Sequence, residues 1–324
     1  MLRRLGCIVL AGAVALVLLV GGNFYWGWTG DGPAQQELSI VISGGSSLAR
    51  AAQVLEDEGA ISSAGAFLNR ARVFGSDDPI KAGEFIIPAG ASNAQILSIL
   101  QGSDVVLRMV TVPEGMPSIL VQEKLMREPL LTGEVPVPEE GSLLPESYSF
   151  ERGEKRIAVM LRMQKAMQDT VAELWPERSP DTVVKTPQEA ITLAAIVEKE
   201  TGKASERRMI AGVYSNRIRK GMMLQADPTI IYPITRGKPL GRRIRQSEIA
   251  DVNDYNTYAM TGLPKGPITN PGRASIEAVL NPARTEALYF VADGTGGHVF
   301  ANTLADHNRN VEKWFALRRA RGEM

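Results

Sequence analysis

From Leu5 to about Tyr25 the chain carries no charge, and a helix over that run would be roughly 30 Å long, enough to cross a bilayer. Beyond it the pattern changes. Leu38 to Ile42 alternates polar and apolar residues, as a half-buried strand does. Ser46 or Ser47 then caps a helix with Leu48, Ala51, Ala52 and Leu55 on one face and Gly59 past its end. A second short helix follows over about Ala64 to Phe74, then a strand near Glu84 to Ile87. A helix from about Asn93 to Leu100 stops at Gly102. This order predicts a small α+β module over residues 38–108. Its polar faces gather no acids, bases or nucleophiles, so it suits binding or spacing better than chemistry.

A larger α+β domain, residues 109–324, begins with the alternating strand of VVLRMVTVPEGMP and a turn into a helix holding Ile119, Leu120 and Leu125. Residues 129–145, rich in Pro, Gly and Glu, predict a surface excursion. An amphipathic helix from about Lys155 to Leu174 turns Ile157, Met160, Leu161, Met167 and Val171 toward the core, its methionines acting as filler.

The ends of the first apolar run give it a direction. Arg3 and Arg4 precede it, and Phe24, Tyr25, Trp26 and Trp28 crowd its far side, a basic flank followed by an interfacial aromatic belt. The expectation is a single-pass anchor over residues 5–28. Residues 1–4 would lie in the cytoplasm, 29–37 would form a short linker, and the rest would stand outside. A cleaved signal peptide is the competing reading, but the run is long for one and no small-x-small cleavage site follows.

Charge and composition then remove several classes. Lys plus Arg and Asp plus Glu each total 36, which leaves no basic excess to hold nucleic acid. Cys7 is the single cysteine, so disulfides and cysteine metal sites are excluded, and two histidines, His298 and His307, make a His-rich metal site a poor expectation. No metal or cofactor is called for. The two histidines are expected to be buried and hydrogen-bonded.

The candidate chemistry lies in AAIVEKETG, residues 194–202. Thr186-Pro187-Gln188-Glu189 is a capping box with proline in the first turn, so a helix starts there and runs through an apolar stretch into Glu198 and Glu200. At about 100° per residue these two carboxylates point nearly opposite ways. Glu200 continues the stripe of Leu193, Ile196 and Val197, whereas Glu198 shares a face with Ile191 and Ala194. The wheel favours Glu200 without excluding Glu198 or a solvated, charged helix tip. Desolvation and the negative end of the helix would both raise the pKa of a carboxyl placed there, as a general acid for glycosidic cleavage requires. Downstream, a helix ends near Lys220 and a polar turn is expected at Gln225 to Thr229. DYNTYAMTGLPKGPITNPG, residues 254–272, predicts a semi-rigid loop whose rings and amides suit either sugars or packing on its own domain. The basic stretch TRGKPLGRRIRQ, residues 235–246, is expected to be a solvated loop.

AAIVEKETG, NRIRKGMMLQADPTIIY, YNTYAMTGLPKGPITNPG and LYFVADGTGGHVFANTLADHN occur in an order and spacing that resemble the endolytic murein transglycosylases, the YceG-like or MltG family. VTVPEGM and LLPESYSF are weaker matches. The resemblance implies an inner-membrane protein with a LysM-like module and an extracytoplasmic catalytic domain. Its action would be to cut nascent peptidoglycan strands between N-acetylmuramic acid and N-acetylglucosamine, leaving a 1,6-anhydromuramyl end and so terminating glycan elongation. It further implies Glu200 as the catalytic acid, with Gln225, Asp227, Thr229, Tyr255, Asn256, Thr257 and Tyr258 around the glycan. Peptidoglycan synthases or divisome proteins would be further partners. Departures are Lys265 in LPKG and the acidic VNDYNTY. A hydrolytic muramidase, with Asp227 or another acid activating water, and a non-catalytic wall-binding scaffold remain as alternatives.

Overall fold

A computed structural model describes residues 2–106 and 108–323, with side chains from Leu10 onward. The chain folds as two compact units, Met1–Arg108 with Ser149–Gly153, and Met109–Tyr148 with Glu154–Met324.

The first unit contains α1 (Leu2–Thr29), β1 (Leu38–Ile42), α2 (Leu48–Asp57), α3 (Ala64–Phe74), β2 (Gly83–Ile87) and α4 (Asn93–Gln101). Three serines start its three short helices. Ser47 accepts from the Arg50 amide, Ser63 from Ala66, and Ser92 forms a capping box with Gln95, each satisfying an otherwise orphaned helix donor. β1 and β2 pair antiparallel from Leu38↔Ile87 to Ile42↔Gly83. Ile40, Ile42, Phe85 and Ile87 face inward, against Ala51, Ala52, Leu55, Phe67, Ile96 and Leu100 of the helices.

Within α1, Leu10–Thr29 is the one stretch among the described residues long and apolar enough to span a membrane, and it is compatible with a single-pass anchor. Arg3 and Arg4 fall outside the residues whose side chains are described. The aromatic cluster at its end differs from the expected belt. Trp28 is buried and packs against Phe67 and Phe74, and Tyr25 meets Phe74 edge-on at 5.6 Å. Trp26 keeps an exposed face. Residues 29–37 likewise do not form a free linker: Gly32 N donates to Gly90 O at 3.1 Å, Gly90 N donates to Ala34 O at 2.7 Å, and Ala34 is buried.

One buried charge punctuates this unit. Glu84, on β2, takes a bidentate pair of hydrogen bonds from Arg108, both 2.9 Å, one from Arg152 at 3.3 Å, and one from the Ser39 hydroxyl. The Arg108 guanidinium above all holds its carboxyl down at about 2.

The chain continues with β3 (Arg108–Thr111), α5 (Ser118–Arg127), β4 (Ser147–Phe150) and α6 (Arg156–Leu174). Then come α7 (Pro187–Glu200), a 3₁₀ turn at Ala204–Glu206, α8 (Arg207–Arg219), α9 (Asp227–Thr235), α10 (Gln246–Ile249) and α11 (Arg273–Leu280). The antiparallel hairpin of β5 (Tyr289–Ala292) and β6 (His298–Ala301) and the helix α12 (Leu304–Ala320) complete it. Every residue of α7 from Ala190 to Val197 is buried, because α8 and α11 both pack on it. Thr186 caps its start, but Glu189 reaches back to the Lys185 amide, one residue beyond the expected capping box.

Three expectations change here. On α6 the buried stripe is Met160, Met163, Met167, Thr170 and Val171, and Leu161 is exposed because it lies about 100° off that stripe. Within 129–145, Leu131, Val135, Leu143 and Leu144 are buried, so this segment contributes to the core instead of looping over it. Gln225–Thr229 is no simple turn either. Asp227-Pro228 opens α9, with proline in the first turn where its missing amide costs nothing.

Replacement of Glu84 by Gln is expected to destabilise the protein by about 2 kcal/mol at pH 7, by removing the buried carboxylate that accepts charged hydrogen bonds from the partly exposed Arg108 and Arg152 guanidinium groups. Because the folded pKa of Glu84 lies below its ordinary value of 4.5, its stabilisation is complete above about 4.5 and lost as pH falls toward about 2. Thermal unfolding of wild type and variant should therefore converge across that window.

Candidate active site

The two glutamates at the end of α7 part company. Glu198 turns into the protein: its Oε2 accepts the Gly272 amide at 2.9 Å, and its Oε1 lies 3.6 Å from Arg207, which also binds Glu114 at 2.9 Å. Gly272 is the N-cap of α11, so Glu198 ties the start of that helix to the end of α7. Glu200, on the other face, opens onto a cleft of about 300 Å³ lined by Tyr214, Arg217, Leu224, Gln225, Asp227, Tyr258, Phe290 and His307. All of these belong to the second unit.

The Glu200 carboxyl is held up at about 7. Burial is the main cause, and the charge of Asp227 adds to it; a hydrogen bond from the Tyr214 hydroxyl and the charges of His298 and Arg217 oppose it. Near neutral pH both forms are populated, so the group can give a proton and take one back. Tyr214 is fully buried and meets Phe290 edge-on at 5.8 Å. Its hydroxyl is pushed well above the usual tyrosine range by burial and by Glu200, so it remains a donor.

Arg217 builds the adjoining wall. Its Nε donates to Leu288 O at 2.7 Å and its Nη1 to Leu224 O at 2.8 Å and Met223 O at 3.2 Å. Those bonds fix the segment that delivers Gln225. That residue has φ of 55°, a left-handed conformation uncommon outside glycine, and its amide donates to Thr257 O at 3.0 Å. Asp227 follows at the start of α9 and accepts the Tyr258 hydroxyl at 2.6 Å.

Of the seven residues expected around a glycan, Gln225, Asp227 and Tyr258 line the cleft. Thr229, Asn256 and Thr257 are wholly buried and brace its wall from behind. The two threonine hydroxyls pair at 2.8 Å, and Thr257 Oγ1 accepts the Ala226 amide at 3.0 Å. Asn256 Nδ2 donates to the carbonyls of Ile249 and Asp251, while its Oδ1 accepts the Tyr258 amide at 3.0 Å. Tyr255 lies against Tyr232, ring centroids 4.9 Å apart, away from the cleft lining.

The histidines also divide. His298 matches the expected hydrogen-bonded type, with Nδ1 2.7 Å from Glu206, a carboxylate that also accepts the Thr201 hydroxyl. His307 does not. Its ring stacks on Tyr289 at 5.2 Å, its buried Nδ1 has no hydrogen-bond partner among the described residues, and it lines the cleft. Burial and the nearby Arg217 charge lower its pKa, which favours the neutral imidazole. Sequence reasoning missed Tyr214, Arg217, Phe290 and His307 as cleft residues. The spacing of Tyr214 and Arg217, three apart and hence on one helix face, was the available signal.

A mixed α+β protein with one buried carboxyl titrating near neutrality, open to a polar cleft, has the makings of an acid–base enzyme. The family is then unambiguous: the chain belongs to the YceG-like family, whose pattern matches residues 40–313. It is 27% identical to the endolytic murein transglycosylase of Bacillus subtilis, over 92% of each chain. It is 28% identical to the protein of that name from Streptococcus pneumoniae, over 87% of this chain and 59% of the longer relative. The crystal structure of a yceG-like protein from Listeria monocytogenes superposes with a TM-score of 0.52 at 25% identity, covering 85% of this chain and 99% of that one.

Two substitutions probe the site without removing its acid. Tyr214→Phe deletes a hydrogen bond that favours the carboxylate, so the Glu200 titration followed by NMR should move upward. Asn256→Ala should lower stability by about 2 kcal/mol, since it strands buried carbonyls, and denaturant unfolding would measure the loss.

Proposed function

We propose that this chain is an endolytic murein transglycosylase that cleaves glycan strands between N-acetylmuramic acid and N-acetylglucosamine and leaves a 1,6-anhydromuramyl end. The observation that carries this reading is Glu200: a carboxyl kept near half-protonation at neutral pH, facing a polar cleft. The names of the Bacillus and Streptococcus relatives support it.

Protonated Glu200 gives its proton to the oxygen bridging the two sugars, and the bond from that oxygen to the muramyl anomeric carbon breaks. The Tyr214 hydroxyl and the Arg217 charge stabilise the carboxylate left behind. The muramyl C6 hydroxyl then attacks the anomeric carbon and returns its proton to Glu200. Because the attacking hydroxyl belongs to the same sugar, no water and no second acid–base group are required, and the ring closes at high effective concentration. Ordinary glycosidases instead pair the acid with a second carboxylate that attacks or activates water. Gln225, Asp227 and Tyr258 contact the strand in the cleft, and Thr229, Asn256 and Thr257 hold the walls.

In this reading α1 anchors the protein once in the inner membrane, N-terminus in the cytoplasm, and the first unit is a LysM-like module. Cutting nascent strands internally would make the enzyme a terminase of glycan elongation, working near synthases or division proteins.

Mass spectrometry of products from uncrosslinked glycan strands tests the reaction. Wild type should release ends lighter by one water than those of a hydrolase, and Glu200→Gln should lower the rate by about 10²–10⁴-fold while leaving strand binding intact. Reducing ends from the wild type, or undiminished cutting by the variant, would overturn the proposal. Since the protonated acid is the reactive form, kcat/KM should fall as pH rises through about 7.

A further inference from the structure

The cleft holds a second carboxylate for which the one-acid reaction has no use. Asp227 stands at the start of α9, an end of the helix where the backbone favours negative charge. Its Oδ1 accepts the Tyr258 hydroxyl at 2.6 Å, a bond that aims the group. Among the described residues no lysine, arginine or histidine forms an ion pair with it. Arg217, the cation lining the same cleft, spends its Nε and Nη1 on the carbonyls of residues 288, 223 and 224. Among the described residues Asp227 thus has the helix start and the Tyr258 hydroxyl beside it but no ion pair, on the cleft lining that Glu200 shares.

Breaking a glycosidic bond with an acid leaves positive charge on the anomeric carbon and ring oxygen before any nucleophile arrives. A fixed anion beside that position stabilises the transition state more than the ground state, and a strand filling the cleft displaces the water that would otherwise screen it. We propose that Asp227 is a second catalytic carboxylate, stabilising the cationic sugar by its charge while Glu200 alone transfers protons. The inference rests on the transglycosylase reading above.

The step balances without further reagents. The Glu200 proton goes to the leaving oxygen with the electron pair of the broken bond. The C6 oxygen supplies the new pair to the anomeric carbon, and its proton returns to Glu200. Asp227 forms no covalent bond. Its second effect is on Glu200 itself, which also feels Tyr214 and Arg217 from α8 and His298 from β6, while Tyr258 from the loop and His307 from α12 line the same cleft. Of these, Asp227 is the group whose charge favours the protonated acid.

The test uses the full chain in detergent on uncrosslinked glycan strands. Asp227→Asn should lower kcat by about 10²–10³-fold with KM changed less than about threefold, the pattern of an interaction made in the transition state. The alkaline limb of its kcat/KM profile should move to lower pH, because the charge holding the Glu200 proton is gone. A merely structural residue would not move that limb, and a residue that only binds substrate would act through KM. A folded Asp227→Asn enzyme with kcat within about threefold of wild type, or a loss confined to KM, would overturn the proposal. Should the Asn variant not fold, Asp227→Glu decides. It keeps the charge and should retain kcat within about tenfold, whereas a loss of about 10²-fold or more in a folded enzyme counts against the idea. Product mass separates the two layers of inference. A wild type that releases no anhydro ends defeats the reaction itself, whereas anhydro ends beside an unimpaired Asp227→Asn enzyme defeat only the role of Asp227.

Discussion

The candidate active site depends on the desolvation of one carboxyl. Glu200 ends a helix buried from Ala190 to Val197 under α8 and α11, and its carboxyl opens onto the cleft. Water is the medium that would stabilise its charge, so withholding water keeps a proton on it. Tyr214 and Arg217 oppose that effect, which prevents the group from becoming a permanently neutral acid. The balance between them matters more than either side, since the proposed acid–base role of Glu200 needs both forms within reach.

A balance of this kind requires walls that do not move. The polar residues behind the cleft provide them. Thr229, Thr257 and Asn256 are buried with their hydrogen bonds satisfied, which ties the loop bearing Tyr258 to the start of α9. Arg217 does the same for the segment before Gln225 by gripping backbone carbonyls of two separate loop segments. Buried polar networks stabilise little unless fully satisfied, but when satisfied they select one geometry. The strained backbone of Gln225 is tolerable for that reason.

Periodicity made much of the fold legible. The serine caps, the alternation of β1 and the apolar run of α7 follow local rules that one stretch of chain can express. The choice between Glu198 and Glu200 was also partly visible, because a helical wheel separates their faces. What the wheel could not supply was the partner of each: Glu198 meets Arg207, beyond the end of its own helix, and Gly272, far along the chain. His307 and Phe290 reach the cleft only through the packing of α12 and the β5–β6 hairpin, and no local pattern encodes that. Thr229, Asn256 and Thr257 illustrate the opposite error. Residue types suited to binding sugars are equally suited to bonding one another, and burial alone distinguishes the two uses. Leu161 shows the smaller version, an apolar side chain one step off the stripe that its neighbours define.

The seating of Trp28 in the core of the first unit, with Gly32 and Ala34 stitched to Gly90, has a mechanical consequence. A flexible leash would let that unit roam through a hemisphere above its attachment point. Here the α1 shaft and the unit it carries turn as one piece. Embedded in a bilayer, such a stalk would hold its cargo at a set height and leave lateral diffusion and rotation about the membrane normal as its main freedoms.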